Sequence, residues 1–437
     1  MSIYKFISHD NPKISSILKK ILSLHPQEIN LSLDRIRFLL KKLKNPQKIL
    51  PYAIHIAGTN GKGSVATSIY QLQKLSGKKV HVYRSPHLTS FNERIVIANK
   101  IISDESLYDA LNYVYKINDK RTITFFEFFT AMAFYIFSKN EADVLIVEVG
   151  LGGTFDATNV LNHKKKTCII TTVGLDHKEY LGNTIKDIAT EKSGIIKSNN
   201  FVICSQQNKK ALSTIQKFTK INNCRTYFYG KDWYIRNRKL FIEHIEVDLT
   251  KLSLKGNHQY QNIGCAILAC YKVKYLKIDN SKIPDLVSKI KWEGRLHRLE
   301  GSFKKKYPDI DFWVDCAHNP LGFKVLSDWI LKNKINKIFI ILALGIKKDK
   351  KKILKQIKKI NPRLLFLIKK TNFTNIPAID LYKEAKQLNL CCKIFDTVKE
   401  SINFIDKLKD KKVKKKTCLI SGSINLVGDT LREDKEL

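Results

Sequence analysis

The chain has 437 residues, 43% of them hydrophobic, which suits two or three domains with cores of their own and excludes a disordered polymer. Its longest apolar runs, 144–149 and 338–344, are strand-sized and far from the roughly 18–20 residues that span a bilayer. A formal net charge of +38 leaves two readings, a polyanionic partner or a general enrichment in lysine.

The lysines favour enrichment. Clusters at 164–166, 304–306, 347–352 and 411–416 fall on expected loops and exposed helix faces. They lack the interleaved aromatics of a single-strand-binding platform. Nine cysteines are scattered without a CxxC pair, and Cys168, Cys204 and Cys418 sit in apolar runs, as core thiols of a reducing compartment do. The first residues, MSIYKFISHDNPK, carry no apolar h-region. The expectation is a cytoplasmic protein, monomeric, with no membrane and no nucleic-acid partner.

In chain order, residues 1–31 are weakly patterned. Leu33, Ile36, Leu39, Leu40 and Leu43 recur at helical spacing, with Ser32 as the expected N-cap. The stretch YAIHIAGTNGKGS, residues 52–64, then runs from an apolar strand through a glycine-rich loop into a helix expected over 65–75. Strand, glycine loop and helix form a phosphate cradle: backbone N–H groups turn to the anion and the helix dipole assists. Thr59, Asn60, Gly61, Lys62, Gly63 and Ser64 would hold a nucleotide, Lys62 at the β/γ-phosphates and Ser64 toward a metal. The spacing departs from G-x-x-x-x-G-K-[ST], and a plain glycine turn is the alternative. Further strands are expected at 79–83, 143–149 and 167–173, with helices at 105–117, 127–139 and 183–196. Short strand-like segments follow from 201 to 255, then a helix over 256–272. A second unit alternates strands at 312–315, 337–344, 364–368 and 417–421 with four helices.

This alternation predicts an α/β protein with a mostly parallel sheet in an N-terminal ATPase domain, 1–296, and a smaller Rossmann-like α/β domain, 297–437. Ligands of such sheets bind beyond the carboxyl ends of the strands. Ser85, Glu148 and His177 fall at or beyond such ends, and a hydroxyl, a carboxylate and an imidazole near phosphate suit a divalent cation. The alternative is a cap, a paired acid and a solvated loop histidine. In the second unit a strand delivers Asp315, with His318 just before a helix that Pro320 opens. These residues could contact nucleotide or cap a loop. Ser421-Gly422-Ser423 could bind an anion or pack tightly.

Read together, HIAGTNGKGS, SPHL with FNERI, TFFE, EVGLGGTFDATN, GLDHKEYLG, EKSGI, GNHQYQN, WEGRLHR, VDCAHNP and SGSINLVG resemble the folylpolyglutamate synthase/dihydrofolate synthase family, related to the Mur ligases. They fall in order over about residues 30–430. The resemblance implies a Mur-ligase-like P-loop domain and an ATP-dependent amide ligase. ATP would phosphorylate a substrate carboxylate, and the amine of L-glutamate would attack the acyl phosphate. Dihydropteroate would be the acceptor, with tetrahydrofolate in tail extension. The resemblance implies that Asn262, Arg295 and Asp315 join the phosphate loop in binding ATP. It implies Mg²⁺ on Ser85, Glu148, His177 and a carboxylated Lys192, with Lys62, Lys192 and His318 catalytic. It assigns the folate to Thr124, Phe125, Phe126, Glu127, Phe155, Asp156 and Ala157, and the glutamate side to His318 and Ser423. Thr154, Cys316 and Arg84 depart from the family pattern, which bears on substrate detail and leaves the reaction class intact. A different Mur-type ligase or a basic nucleic-acid-binding module are the competing readings.

Overall fold

The computed structural model describes residues 9–26, 32–161, 166–408 and 415–436. The chain divides into two compact units. One holds the described residues up to Ser253 together with His258–Ile290; the other holds Leu254–Asn257 and the described residues from Lys291 onward. The division thus precedes the expected 296/297 boundary. The reason is local: His297 and Arg298 pair antiparallel with Val314 and Trp313, and Cys316 N–H bonds the Gly294 carbonyl, so the WEGRLHR segment is stitched to the second unit's sheet.

The first unit is built on eight strands: β1 (Tyr52–Ala57), β2 (Val80–Tyr83), β3 (Ile95–Ile97), β4 (Lys100–Ile101), β5 (Val144–Glu148), β6 (Lys166–Ile170), β7 (Phe201–Cys204) and β8 (Arg225–Phe228). They run in the order β4-β3-β2-β5-β1-β6-β7-β8. All neighbours are parallel except the β2-β3-β4 edge. β5 is buried along its whole length, as the near-continuous apolar run of a parallel strand requires. Registers Ile56↔Glu148 and Ala57↔Ile170 bring the carboxyl ends of β5, β1 and β6 to one edge. The helix Lys62–Leu75 packs on this sheet through Val65, Ala66, Ile69 and Leu72.

Three departures from expectation are instructive. β6 ends at Ile170, not 173, because Thr172 and Gly174 bond the phosphate loop and Val173 bonds the Gln207 side chain instead of the sheet. The 201–255 stretch contains a helix, Lys209–Ile221, capped by Asn208, before the antiparallel meander β9 (Trp233–Arg236), β10 (Lys239–Ile242) and β11 (Ile245–Asp248). Asn237 and Arg238 both take positive φ, which suits the tight turn between β9 and β10. Residues 12–23 form a helix, with Asn11 as cap and Pro12 in its first turn.

Lys166, read as a loop lysine, is the first residue of β6 and only 1% exposed. Lys164, Lys165 and Lys411–Lys414 lie outside the described residues. All nine cysteines are free thiols, and burial pushes the Cys168 thiol up to about 11. No helix among the described residues is long and apolar enough to cross a membrane.

The second unit has β12 (His297–Arg298), β13 (Ile310–Asp315), β14 (Phe339–Leu342), β15 (Leu364–Ile368), β16 (Cys392–Phe395) and β17 (Lys416–Ser421), ordered β12-β13-β17-β14-β15-β16. All pairs except β12-β13 are parallel. Ser421 is level with both Asp315 and Leu342, so this sheet also gathers its carboxyl ends. Its core runs through Ile340, Leu342, Ile353, Ile357, Leu365, Leu367 and Leu419.

Candidate active site

β1 ends in the glycine loop, and the helix that follows starts at Lys62 with Gly61 as N-cap. Gly61 has φ +94°, and a Cβ there would lie 2.6 Å from Asn262 Oδ1. Only glycine fits both the backbone and the contact. The loop is sutured to the chain after β6: Thr59 N–H and Asn60 N–H donate to the Thr172 carbonyl at 2.9 and 3.3 Å. Thr59 Oγ1 also donates to Gly174 O and accepts from Gly174 N–H, both at 3.0 Å. Lys62, expected at the β/γ-phosphates, is half-buried and folds back, Nζ donating to Gly58 O at 3.1 Å. That posture puts its ammonium across the loop mouth, beside a helix N-terminus that attracts anions.

Asn262 lies beside the same loop. Its Nδ2 donates to Gln259 Oε1 at 2.9 Å, and Gln259 Nε2 reaches Ser64 Oγ at 3.5 Å. Gln259 is fully buried and orders both. It stands in the GNHQYQN motif without an expected role, so the signal was available in the sequence.

Lys192 lies in the helix Ile185–Ser193 and is 5% exposed. Burial, seconded by the Lys62 cation, pulls its ammonium down to about 7, against the pull of Asp176, Asp156 and Glu191. The loop Gly150–Asp156 crosses this helix closely: Thr154 N–H donates to Glu191 O at 2.9 Å, and a Cβ on Gly153 would lie 2.9 Å from Lys192 Cα. Lys62, Lys192, Asp156 and Asp176 therefore share one neighbourhood.

Glu148 ends β5 and is buried. Ser85 follows β2 and is half-buried. His177 takes φ +49°, caps the short helix Lys178–Leu181, and stands 45% exposed with Nε2 3.9 Å from Asp176 Oδ2. No group of three or more His, Cys, Asp and Glu side chains forms a metal site among the described residues. The expected set holds two such side chains, so an ion there must also draw on Ser85 and Lys192. The oxygens of Ser85 and Glu148 suit a hard cation; an ammonium at Lys192 would repel it.

The residues that the resemblance assigns to the folate divide by role. Thr124 and Glu127 form a capping box for the helix Phe125–Phe137, and Arg35 Nε donates to Glu127 Oε2 at 2.9 Å. Glu127 is thereby occupied with its own helix. Phe125 is buried and stacked on Phe129 at 4.4 Å. Phe126 faces Gly150, where a Cβ would come within 2.4 Å of its ring. Phe155 is 46% exposed, a bare ring on the loop surface, while Asp156 and Ala157 are buried.

In the second unit, Asp315 Oδ2 accepts from Leu296 N–H and Oδ1 from Ala317 N–H, both at 2.8 Å. Burial raises its carboxyl, opposed chiefly by the Arg295 guanidinium. His318 Nδ1 donates to the Cys316 carbonyl at 2.9 Å, which turns Nε2 into the acceptor nitrogen. Ser423 Oγ accepts from Asn425 N–H at 3.2 Å. Asp315, Arg295 and His318 thus lie within electrostatic reach of one another at the end of β13.

Comparison with known proteins gives this geometry a family. The Mur ligase middle domain family matches residues 56–270. A dihydrofolate synthase/folylpolyglutamate synthase of Bacillus subtilis is 30% identical over 423 residues, 91% of this chain and 93% of that one. A Mycobacterium tuberculosis folylpolyglutamate synthase, solved with ADP and AMPPCP, superimposes with a TM-score of 0.84 at 25% identity, covering 96% of this chain and 98% of that chain. A bifunctional synthase of Yersinia pestis, complexed with AMPPNP and a Mn ion, shares the fold with a TM-score of 0.83 at 21% identity, covering 98% of each chain. On this evidence the chain belongs to the dihydrofolate synthase/folylpolyglutamate synthase family of ATP-dependent ligases.

Proposed function

We propose that this protein joins L-glutamate to dihydropteroate, and also to tetrahydrofolate, through an acyl phosphate made from ATP. The observation that carries the reading is Lys62, folded over the glycine loop at the start of the helix that follows it. A cation at a helix N-terminus makes a site for a polyphosphate.

In this reading the backbone N–H groups of Gly61, Lys62, Gly63 and Ser64 hold the phosphates, and Asn262 fixes the loop. The folate carboxylate attacks the γ-phosphorus, ADP leaves, and Lys62 offsets the charge that develops on the transferred group. The glutamate amine then attacks the acyl carbon; phosphate leaves and the amine gives up a proton. His318, with its Nε2 able to accept, is suited to take that proton, and Ser423 to bind on the glutamate side. By the family pattern, Arg295 and Asp315 are also ATP contacts. Mg²⁺, held by Ser85, Glu148, His177 and a carboxylated Lys192, would supply charge neutralisation when bound. Phe126, packed on the Gly150 loop, and the exposed Phe155 ring would offer apolar faces to the pterin, and Asp156 a carboxylate.

Phosphate release from ATP tests the reading, first with glutamate and dihydropteroate, then with glutamate and tetrahydrofolate. Release that needs both glutamate and a folate is expected. Release that needs neither, or needs a peptide acceptor, would favour another Mur-type ligase.

A further inference from the structure

A buried polar chain runs beneath the folate-side loop. Lys166 Nζ donates to the Leu161 carbonyl at 2.8 Å and faces His55 Nδ1 at 3.5 Å. His55 Nε2 meets Thr158 Oγ1 at 2.8 Å. Thr158 Oγ1 donates to Asp156 Oδ1, which also accepts the Thr158 N–H at 3.0 Å, while Asp156 Oδ2 accepts the Leu151 N–H at 2.8 Å. All four side chains are buried, and none but Asp156 has a part in the reaction as derived above.

Donor arithmetic gives this chain one direction. A lysine ammonium has only protons to offer, so His55 Nδ1 must accept and Nε2 must carry the hydrogen. Thr158 then receives at its oxygen and spends its own hydrogen on Asp156. The reverse order, with a protonated Asp156 donating to Thr158, would point an Nδ1–H at the Lys166 ammonium. The Thr158 N–H on the same Oδ1 also suits an anionic oxygen.

We propose that Lys166, His55 and Thr158 are positioning residues that hold Asp156 as a fixed, acceptor-only carboxylate for the pterin ring. This rests on the folate reading of the loop. An acceptor-only carboxylate bonded to the loop on which the Phe126 ring packs selects a flat heteroaromatic ligand with N–H donors along its edge. The 2-amino-4-oxo ring of a pterin has that edge. Both quoted motifs, HIAGTNGKGS and EVGLGGTFDATN, thereby gain a shared purpose: the first supplies His55 from β1, the second supplies Thr158 and Asp156.

Two measurements test this. In ¹⁵N-histidine NMR of the full-length wild type, His55 should be a neutral Nε2–H tautomer; an Nδ1–H tautomer or an imidazolium overturns the relay whatever the enzyme's substrate. In steady-state kinetics, Thr158→Val and the remote Lys166→Met should each raise KM for dihydropteroate about tenfold, the loss expected for one hydrogen bond to a charged group. KM for ATP and for glutamate should stay within about twofold, and Thr158→Ser should restore the wild-type value, since both effects follow from a single hydroxyl. An unchanged dihydropteroate KM in Lys166→Met, or an equal rise for all three substrates, overturns the proposal. A wild type that turns over no dihydropteroate but shows the Nε2–H tautomer contradicts the folate reading and supports the relay itself.

Discussion

Lys192 offers the most exacting test of the site. Its ammonium is pulled to about 7 by burial and by the Lys62 cation. At pH 7 about half of it is neutral, against about one part in 2,500 for a lysine near its ordinary value of about 10.4. Reaction with carbon dioxide needs that neutral amine: the nitrogen lone pair bonds carbon, and one proton leaves as the carbamate forms. The environment therefore raises the reactive form about a thousandfold at neutral pH. The same shift has a stability sign. The unfolded chain binds more protons between pH 7 and 10.5, so the contribution of Lys192 to stability rises with pH through that window. Keeping an ammonium buried below pH 7 costs at most about 5 kcal/mol. The assay is activity after carbon dioxide is stripped from enzyme and buffers, then restored with bicarbonate, alongside a gentle intact mass. Activity should fall on stripping and return on restoration, with one carbon dioxide of extra mass on Lys192. Lys192→Met should be nearly inactive and partly rescued by short carboxylic acids, which supply the missing oxygens. Full activity in Lys192→Met, or full activity in stripped buffer without the added mass, would refute the argument.

Three shorter tests follow from the same geometry. Lys62→Ala should abolish turnover while leaving the thermal midpoint within a few degrees, because Nζ bonds only loop carbonyls among its observed partners; normal turnover would remove the phosphate-loop assignment. Glu148→Gln keeps shape but loses a charge, so the Mg²⁺ needed for half-maximal activity should rise steeply; an unchanged Mg²⁺ titration would make Glu148 structural. Gly61→Ala must place a Cβ 2.6 Å from Asn262 Oδ1 at positive φ. It should cost on the order of 1–3 kcal/mol in urea unfolding and weaken ATP binding; unchanged values in both would show that the loop relaxes freely.

What could be read in the sequence follows from the range of the forces. The strand, glycine loop and helix over 52–75 obey local rules, and so does the β5 run of apolar residues ending in Glu148. The helix Pro12–Ser23 obeys them too, through Asn11, Pro12 and the spacing of Ile14, Ile17, Leu18 and Ile21. Lys209–Ile221 was missed beside short strands, although Asn208 caps it. Ser32 was expected to cap the next helix; instead its Oγ accepts from Asp34 N–H while Leu33 holds the cap position. Lys166 is a different kind of miss. A lysine at the end of a basic run reads as solvated, and only the Leu161 carbonyl and the face of β1 reveal a partner for a buried ammonium. Residues far apart in sequence, such as Gln259 and Ser64, meet through packing that no local pattern encodes.

The two units share a way of keeping carboxylates near chemistry that runs on anions. Asp156 accepts from Leu151 and Thr158 N–H groups, and Asp315 from Leu296 and Ala317 N–H groups. Burial pushes both carboxyls up, and these backbone donors push back. Backbone donors carry no net charge, so they add nothing to the repulsion among the cations of the site. Nor do they titrate. Beside Lys192 for Asp156 and Arg295 for Asp315, the cation adds to these donors in opposing the upward pull of burial.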